Sequence, residues 1–259
     1  MNYLYMGIAF FMLLGCSNEE KKAAPPSHLA KEAENPHFRY EPKAVQNPEK
    51  VILHVPLIKQ VPELKYGCEV TSLAMVLQYA GVQVNKLTLA KQIKKDLDPK
   101  IRDRHGNIIS WGNPADGFVG DMTGKSSGYA VFDEPIVELM EKYLPERAIN
   151  LTGQPFTELL RYVSNGHPVV VWTTGDYRLP DRWESWKHGG QTIRTPLDLH
   201  AVVLVGFDSD FVYINDPLWG KKAHQVNKQQ FIRSWIALKK ERFPIIETAF
   251  FYQLKRILV

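Results

Sequence analysis

Cysteine is nearly absent from this chain: 259 residues hold only two, Cys16 and Cys68. A scaffold stapled by several disulfides is thereby excluded, and stability has to come from a buried core. Dense basic clusters are missing too. The 32 Lys and Arg against 28 Asp and Glu leave a formal net charge of +4, spread thinly, which argues against nucleic acid as a partner. Paired metal ligands are missing: His167, His188, His200 and His224 are scattered over the second half with no ligand spacing, so no metal is expected. Gly124-Lys125-Ser126 lacks the upstream glycine of a phosphate-cradling loop, and there is no internal repeat. No cofactor is called for.

Long apolar runs are also missing, with one short exception. Residues 1–15 carry no charged side chain and are apolar from Tyr3 to Leu14. That is too short to span a bilayer as an ordinary helix but suits the core of a secretory signal. Leu13-Leu14-Gly15-Cys16 resembles a bacterial lipobox, which implies removal of residues 1–15 and acylation of Cys16. Buried acyl chains, at ~0.8 kcal/mol per methylene, would hold the protein on a membrane of the cell envelope. An uncleaved anchor or a plain signal peptide is the alternative. Residues 16–49 are rich in Pro, Glu, Lys and Ala and read as a solvated tether; residues 50–259 are the folded domain. With Cys16 acylated, Cys68 is a lone thiol in an exported chain, which calls for a reason.

The domain opens with an extended run, Val51-Ile52-Leu53-His54-Val55-Pro56. From Cys68 the pattern turns helical, with Val70, Leu73, Ala74 and Leu77 on one face and Gly81 as the stop. Short helices are expected at 86–95, 133–144, 155–164 and 227–237. Residues 96–129 and 175–197 read as long irregular loops, the first ordered by Trp111, Phe118 and Val119 as a cleft wall. Val169-Val170-Val171-Trp172-Thr173 is a buried strand. Residues 201–207 and 211–215 form a hairpin across Asp208-Ser209-Asp210, and 248–254 is a last strand. Helices first and an antiparallel sheet after them define an α+β domain.

Chemistry enters at Cys68, whose place in a first helical turn puts a thiol among unpaired N–H groups that favour the thiolate. His200 stands just before the first hairpin strand and Asp216 just after the second, so the two should face each other across its open end. A carboxylate there fixes the imidazole tautomer, and His200 can take the thiol proton. Asn215 is a rival for the orienting role. Adjacent strand residues point to opposite faces, so only one of the two reaches His200, and register favours Asp216. The backbone N–H of Cys68 and the side-chain amide of Gln60 are candidate oxyanion donors.

Gln60, then Tyr66-Gly67-Cys68-Glu69-Val70-Thr71-Ser72-Leu73-Ala74-Met75, Gly166-His167-Pro168-Val169-Val170, Leu199-His200-Ala201-Val202-Val203-Leu204-Val205-Gly206-Phe207 and Asn215-Asp216-Pro217 together resemble family thirty-nine of the cysteine peptidases, its stand-alone branch above all. The resemblance covers about residues 50–245. It implies a papain-like fold with Cys68 as nucleophile, His200 as general base and then acid, Asp216 as orienter and Gln60 in the oxyanion hole. The substrate it implies is a peptide or protein, with cell-wall peptide stems as one form. A peptide-binding lipoprotein without turnover is the alternative on the same fold. No transporter segment accompanies the domain, and Glu69 follows Cys68 where transporter-borne members carry glycine, so cleavage after a double glycine is not implied.

Overall fold

Valine-rich runs with no polar face, at 169–171 and 202–205, demand burial on both sides of a sheet, and that demand organises the molecule. The computed structural model describes residues 49–240 and the backbone of 249–252. The expected signal segment, Cys16 and the tether up to residue 48 lie outside the described residues. In chain order the elements are β1 (Val51–Ile52), α1 (Cys68–Tyr79), α2 (Lys86–Gln92), β2 (Lys95–Asp96), β3 (Ile101–Arg102), β4 (Ile108–Ser110), β5 (Phe118–Val119), α3 (Asp133–Tyr143), β6 (Ala148–Asn150), α4 (Phe156–Ser164), β7 (Val169–Thr174), β8 (Trp183–His188), β9 (Gln191–Pro196), β10 (Leu199–Phe207), β11 (Phe211–Asp216), β12 (Lys221–Asn227), α5 (Lys228–Lys240) and β13 (Ala249–Tyr252).

The main sheet runs β12-β11-β10-β7-β13-β6, with β1 added on β10, and every pairing in it is antiparallel. Residues alternate between its faces. Val170 and Trp172 of β7 and Ala201, Val203 and Val205 of β10 join α1 and α3 in one core cluster. Val169, Val171, Val202 and Leu204 join α4 and α5 in a second on the other face. The fold is α+β and papain-like, a helical first half against an antiparallel sheet.

Helix α1 departs from its expected one-sided pattern. All ten residues from Cys68 to Leu77 are buried, the polar Glu69, Thr71 and Ser72 among them. A helix enclosed all round needs partners for its polar side chains. Thr71 Oγ1 donates to the Gly67 carbonyl at 2.6 Å, and Ser72 Oγ donates to the Ala201 carbonyl at 3.3 Å.

Helix α2 ends at Gln92 because Ile93 is extended, and the chain enters β2, which pairs in parallel with β5. Neither long loop is irregular throughout. Residues 183–196 form a second hairpin, which joins β3 and β4 in a four-stranded sheet, order β3-β4-β8-β9. Its turn is Gly189-Gly190, both with positive φ (51° and 85°), a two-residue connection that glycine alone permits so readily. Strand β12 likewise carries no strand signal in the sequence. Its Lys-Lys-Ala-His-Gln stretch has none of the usual strand residues, as befits a sheet edge that must not recruit another chain.

Candidate active site

Gly67 caps α1 and brings the preceding chain hard against it. A Cβ there would stand 2.6 Å from Leu64 Cβ, so only glycine fits. Cys68 is thus the first helical residue. Its sulfur accepts a hydrogen bond from the Ala201 N–H at 3.4 Å, while Ser72, one turn on, takes the Ala201 carbonyl. Pairing of β11 onto β10 reaches only Val203↔Asn215, so the first turn of the helix meets Ala201 beyond the end of that pairing. The residue next to that docking point is His200.

Strand β10 starts one residue before His200, because Leu199 and His200 pair with Thr174 and Thr173 of β7; Asp216 is likewise the last residue of β11. Both lie just inside their strands rather than just outside. Extending the register by one sets Asp216 beside Val202, two positions from His200. The meeting is therefore diagonal, and His200 Nε2 and Asp216 Oδ1 are 3.1 Å apart. Asn215 turns to the opposite face. It donates to the carbonyls of Val55 and Pro56 and accepts from the Ala223 N–H, tying the segment after β1 to the hairpin.

Asp216 is fully buried, and both of its carboxylate oxygens are partnered. Oδ1 also accepts from the N–H groups of Leu218 and Trp219 at 2.8 and 2.9 Å, and Oδ2 accepts from the Tyr177 hydroxyl. Burial alone would raise its pKa. The hydrogen bond and charge of His200, with the hydrogen bonds of the Tyr177 hydroxyl and the Trp219 N–H, outweigh it and hold the carboxyl at about 2. Tyr177 escaped the sequence reading: it sits in a turn after β7 in the left-handed region (φ 63°), a conformation costing about 1–3 kcal/mol for a bulky residue. Nothing local in the sequence marks it, since its role depends on a residue in another strand.

Gln60 is buried beside them. Its Nε2 donates to the Lys65 carbonyl at 2.8 Å, which leaves the second amide hydrogen, and its N–H donates to the Pro217 carbonyl at 2.9 Å. Its Oε1 is buried without a hydrogen-bond partner. Gln60, Cys68 and His200 line one cavity of about 320 Å³, with Tyr66, Tyr129 and Leu218 among its other walls. Asp216 stands behind His200.

The thiol itself departs from expectation. Burial pushes its pKa well above the ordinary value, the negative charges of Glu69 and Asp216 add to this, and the Ala201 N–H opposes it. The helix N-terminus does not prevail, and the isolated sulfur is held as a thiol. Glu69 is buried next to it, with Oε1 accepting from the Val131 N–H at 3.1 Å and Oε2 unpartnered. Burial raises its pKa to about 7.

The other histidines stand apart. His224 packs on the Tyr177 ring at 5.8 Å and His167 near Tyr162 at 6.5 Å. His188 lies among carboxylates, with Asp96, Asp116 and His188 offering ligand atoms within 4.8 Å of one another. Histidine spacing could not reveal this group, because its members come from three separate segments. It ties β2 and the segment before β5 to β8. Among the described residues no helix is long and apolar enough to cross a membrane.

An α+β fold that presents a helix-borne thiol, an imidazole–carboxylate pair and a side-chain amide to one cavity defines a papain-like cysteine-peptidase type of domain. The sequence profile of the Peptidase_C39 like family matches residues 52–243, and the chain belongs to that family. It is 36% identical over 195 residues to the uncharacterized protein YvpB of Bacillus subtilis, covering 75% of this chain and 74% of that one. A crystal structure of a candidate C39-like peptidase from Bacillus anthracis is similar at a TM-score of 0.70 and 39% identity, covering 80% of this chain and 98% of that chain.

Proposed function

We propose that the protein is a cysteine peptidase of the bacterial cell envelope, hydrolysing a peptide or amide bond through a thioester on Cys68. The observation that carries this reading is the His200–Asp216 pair at the wall of a cavity that Cys68 and Gln60 also line. Because the thiol rests protonated, attack and proton removal go together. His200 accepts the Cys68 proton as the sulfur adds to the substrate carbonyl, and Asp216 stabilises the imidazolium. The oxyanion receives the first-turn N–H of Cys68 and the second hydrogen of Gln60 Nε2, each worth about 3 kcal/mol when well aimed. His200 then protonates the leaving nitrogen. Water, deprotonated by the same imidazole, cleaves the thioester and returns the proton to sulfur.

Cys68→Ala and His200→Ala are each expected to abolish hydrolysis of a peptide library while leaving the circular dichroism spectrum unchanged. An active Cys68→Ala protein would end the proposal. One observation favours a second reading, a peptide-binding protein without turnover: the sulfur is deeply buried and its pKa is raised. Tight peptide binding that survives Cys68→Ser, with no product from any peptide or cell-wall preparation, would select it. Anchoring is proposed through lipid on Cys16, resting on Leu13-Leu14-Gly15-Cys16. Cys16→Ser should abolish fatty-acid labelling and move the protein to the soluble fraction.

A further inference from the structure

The cavity holding Cys68 and His200 shares Tyr66, Tyr129, Leu197 and Leu199 with a second cavity of about 440 Å³. With four residues common to both, the two are lobes of one cleft. The second lobe is walled by the small four-stranded sheet, which brings Arg102, Ile108, Glu184 and Trp186 to it. Glu184 and Trp186 are two apart on β8 and so share a face.

The lobe has a rigid aromatic floor. Trp111, Tyr129 and Trp186 lie with ring centroids 5.5–6.2 Å apart at steep angles. Two of these rings are tethered, the Trp186 indole N–H to the Gly112 carbonyl at 2.8 Å and the Tyr129 hydroxyl to the Pro196 carbonyl at 2.8 Å. Over this floor stands positive charge. Lys100 Nζ lies 3.9 Å from the Trp111 ring centroid, and Arg102 lines the same lobe. Burial and the nearby Arg102 both lower the pKa of Lys100, so the two cations oppose each other. Glu184 offsets one of them. The lobe of Cys68 carries one side chain of each sign, Lys65 and Asp198, so the excess of positive side chains lies in the second lobe.

We propose that this lobe is a specificity subsite for an acidic side chain of a peptide substrate, Lys100 with Arg102 holding the carboxylate above the buried aromatic floor. The proposal rests on the peptidase reading of the adjoining lobe and names its substrate class as acidic peptides. A substrate carboxylate would place a negative charge where two cations now repel, an arrangement preorganised before binding.

The test uses a degenerate peptide library, with cleavage sites mapped by mass spectrometry, followed by the best peptide synthesised with Glu or with Gln at the selected position. Wild type should prefer the Glu peptide by about fivefold or more in kcat/KM, and Lys100→Glu with Arg102→Glu should bring that ratio to one or below. The same peptide pair is titrated calorimetrically into the Cys68→Ala protein, which reads selectivity without turnover; if no peptide is cut, an acidic decapeptide and its amidated counterpart serve instead. Acid-selective binding that charge reversal abolishes, with no cleavage by wild type, would keep the subsite and remove the peptidase. Cleavage with no preference for acid, unchanged by charge reversal, would remove the subsite and keep the peptidase. Peptides neither cut nor bound would overturn both.

Discussion

The base and the nucleophile of the catalytic cavity differ in how completely the carboxylate or amide groups around them are partnered. On the sheet side, both carboxylate oxygens of Asp216 are partnered, Oδ1 by His200 and two backbone N–H groups and Oδ2 by the Tyr177 hydroxyl. On the helix side, Gln60 Oε1 and Glu69 Oε2 are buried without a hydrogen-bond partner, and the thiol is forced to stay neutral. A carboxylate partnered on both oxygens fixes one imidazole geometry and resists reorganisation. Unpartnered groups around a nucleophile are what a site shows when its complement is the substrate rather than the protein itself. The base is finished before binding and the nucleophile is not.

The sharpest way to break that contrast is to damage the finished side. Asp216→Asn keeps the shape but removes the charge that stabilises the imidazolium, so kcat should fall by about 10²–10⁴. Asp216→Ala additionally strands His200, the Tyr177 hydroxyl and two N–H groups in a buried space, and should cost about 3–5 kcal/mol of stability. The carboxyl pKa is lowered from 3.8 to about 2. Its contribution, about 2 kcal/mol, is therefore complete above its unfolded value and is lost as pH falls through the folded one. Acid denaturation followed by fluorescence should show wild type losing this increment between about pH 4 and pH 2, and Asp216→Ala should lack that slope. Equal slopes would mean that the carboxylate is less tightly held than its four partners imply.

The unfinished side should respond differently. Gln60→Ala removes an oxyanion donor but also a buried acceptor that has nothing to accept, so folding should change by less than about 1 kcal/mol while kcat drops by about 10²–10³. Kinetics beside urea denaturation of the same variant reads both numbers. A large loss of stability with a small loss of rate would mean that Gln60 serves the Lys65 turn rather than the reaction.

What was legible in the sequence follows the same line. The meeting of His200 with Asp216, and the turning away of Asn215, rest on strand alternation about one short hairpin. A local count reaches them even though the strands run one residue further at each end. The fourth partner of that carboxylate, Tyr177, comes from a turn of another strand, where no periodicity points. The thiol's ionisation is not legible in the sequence for a related reason. The helix terminus is local and visible, whereas burial on all sides and the negative charges of Glu69 and Asp216 exist only once the sheet has closed over α1. The hairpin at 183–196 hid behind Trp, Glu, Lys and His side chains, although Gly189-Gly190 was a turn signal in plain view.

The smallest effect on rate separates Glu69 from both sides. Its carboxyl pKa is raised from 4.5 to about 7, so the ionised form is the costly one in the folded protein. Stability on its account is greatest below its unfolded value and is lost as pH rises through about 7, up to about 3 kcal/mol. Glu69→Gln keeps an oxygen for the Val131 N–H and removes the charge, so the variant should be more stable than wild type above pH 7 and little different near pH 5. The same charge raises the thiol pKa. Alkylation of Cys68 by iodoacetamide at pH 8 should therefore quicken roughly three- to tenfold in Glu69→Gln, with the gain shrinking toward pH 6 as the wild-type carboxyl takes up its own proton. A slower reaction in the variant would place Glu69 among the groups that assist the sulfur. A faster one makes it a brake that releases as the surroundings acidify.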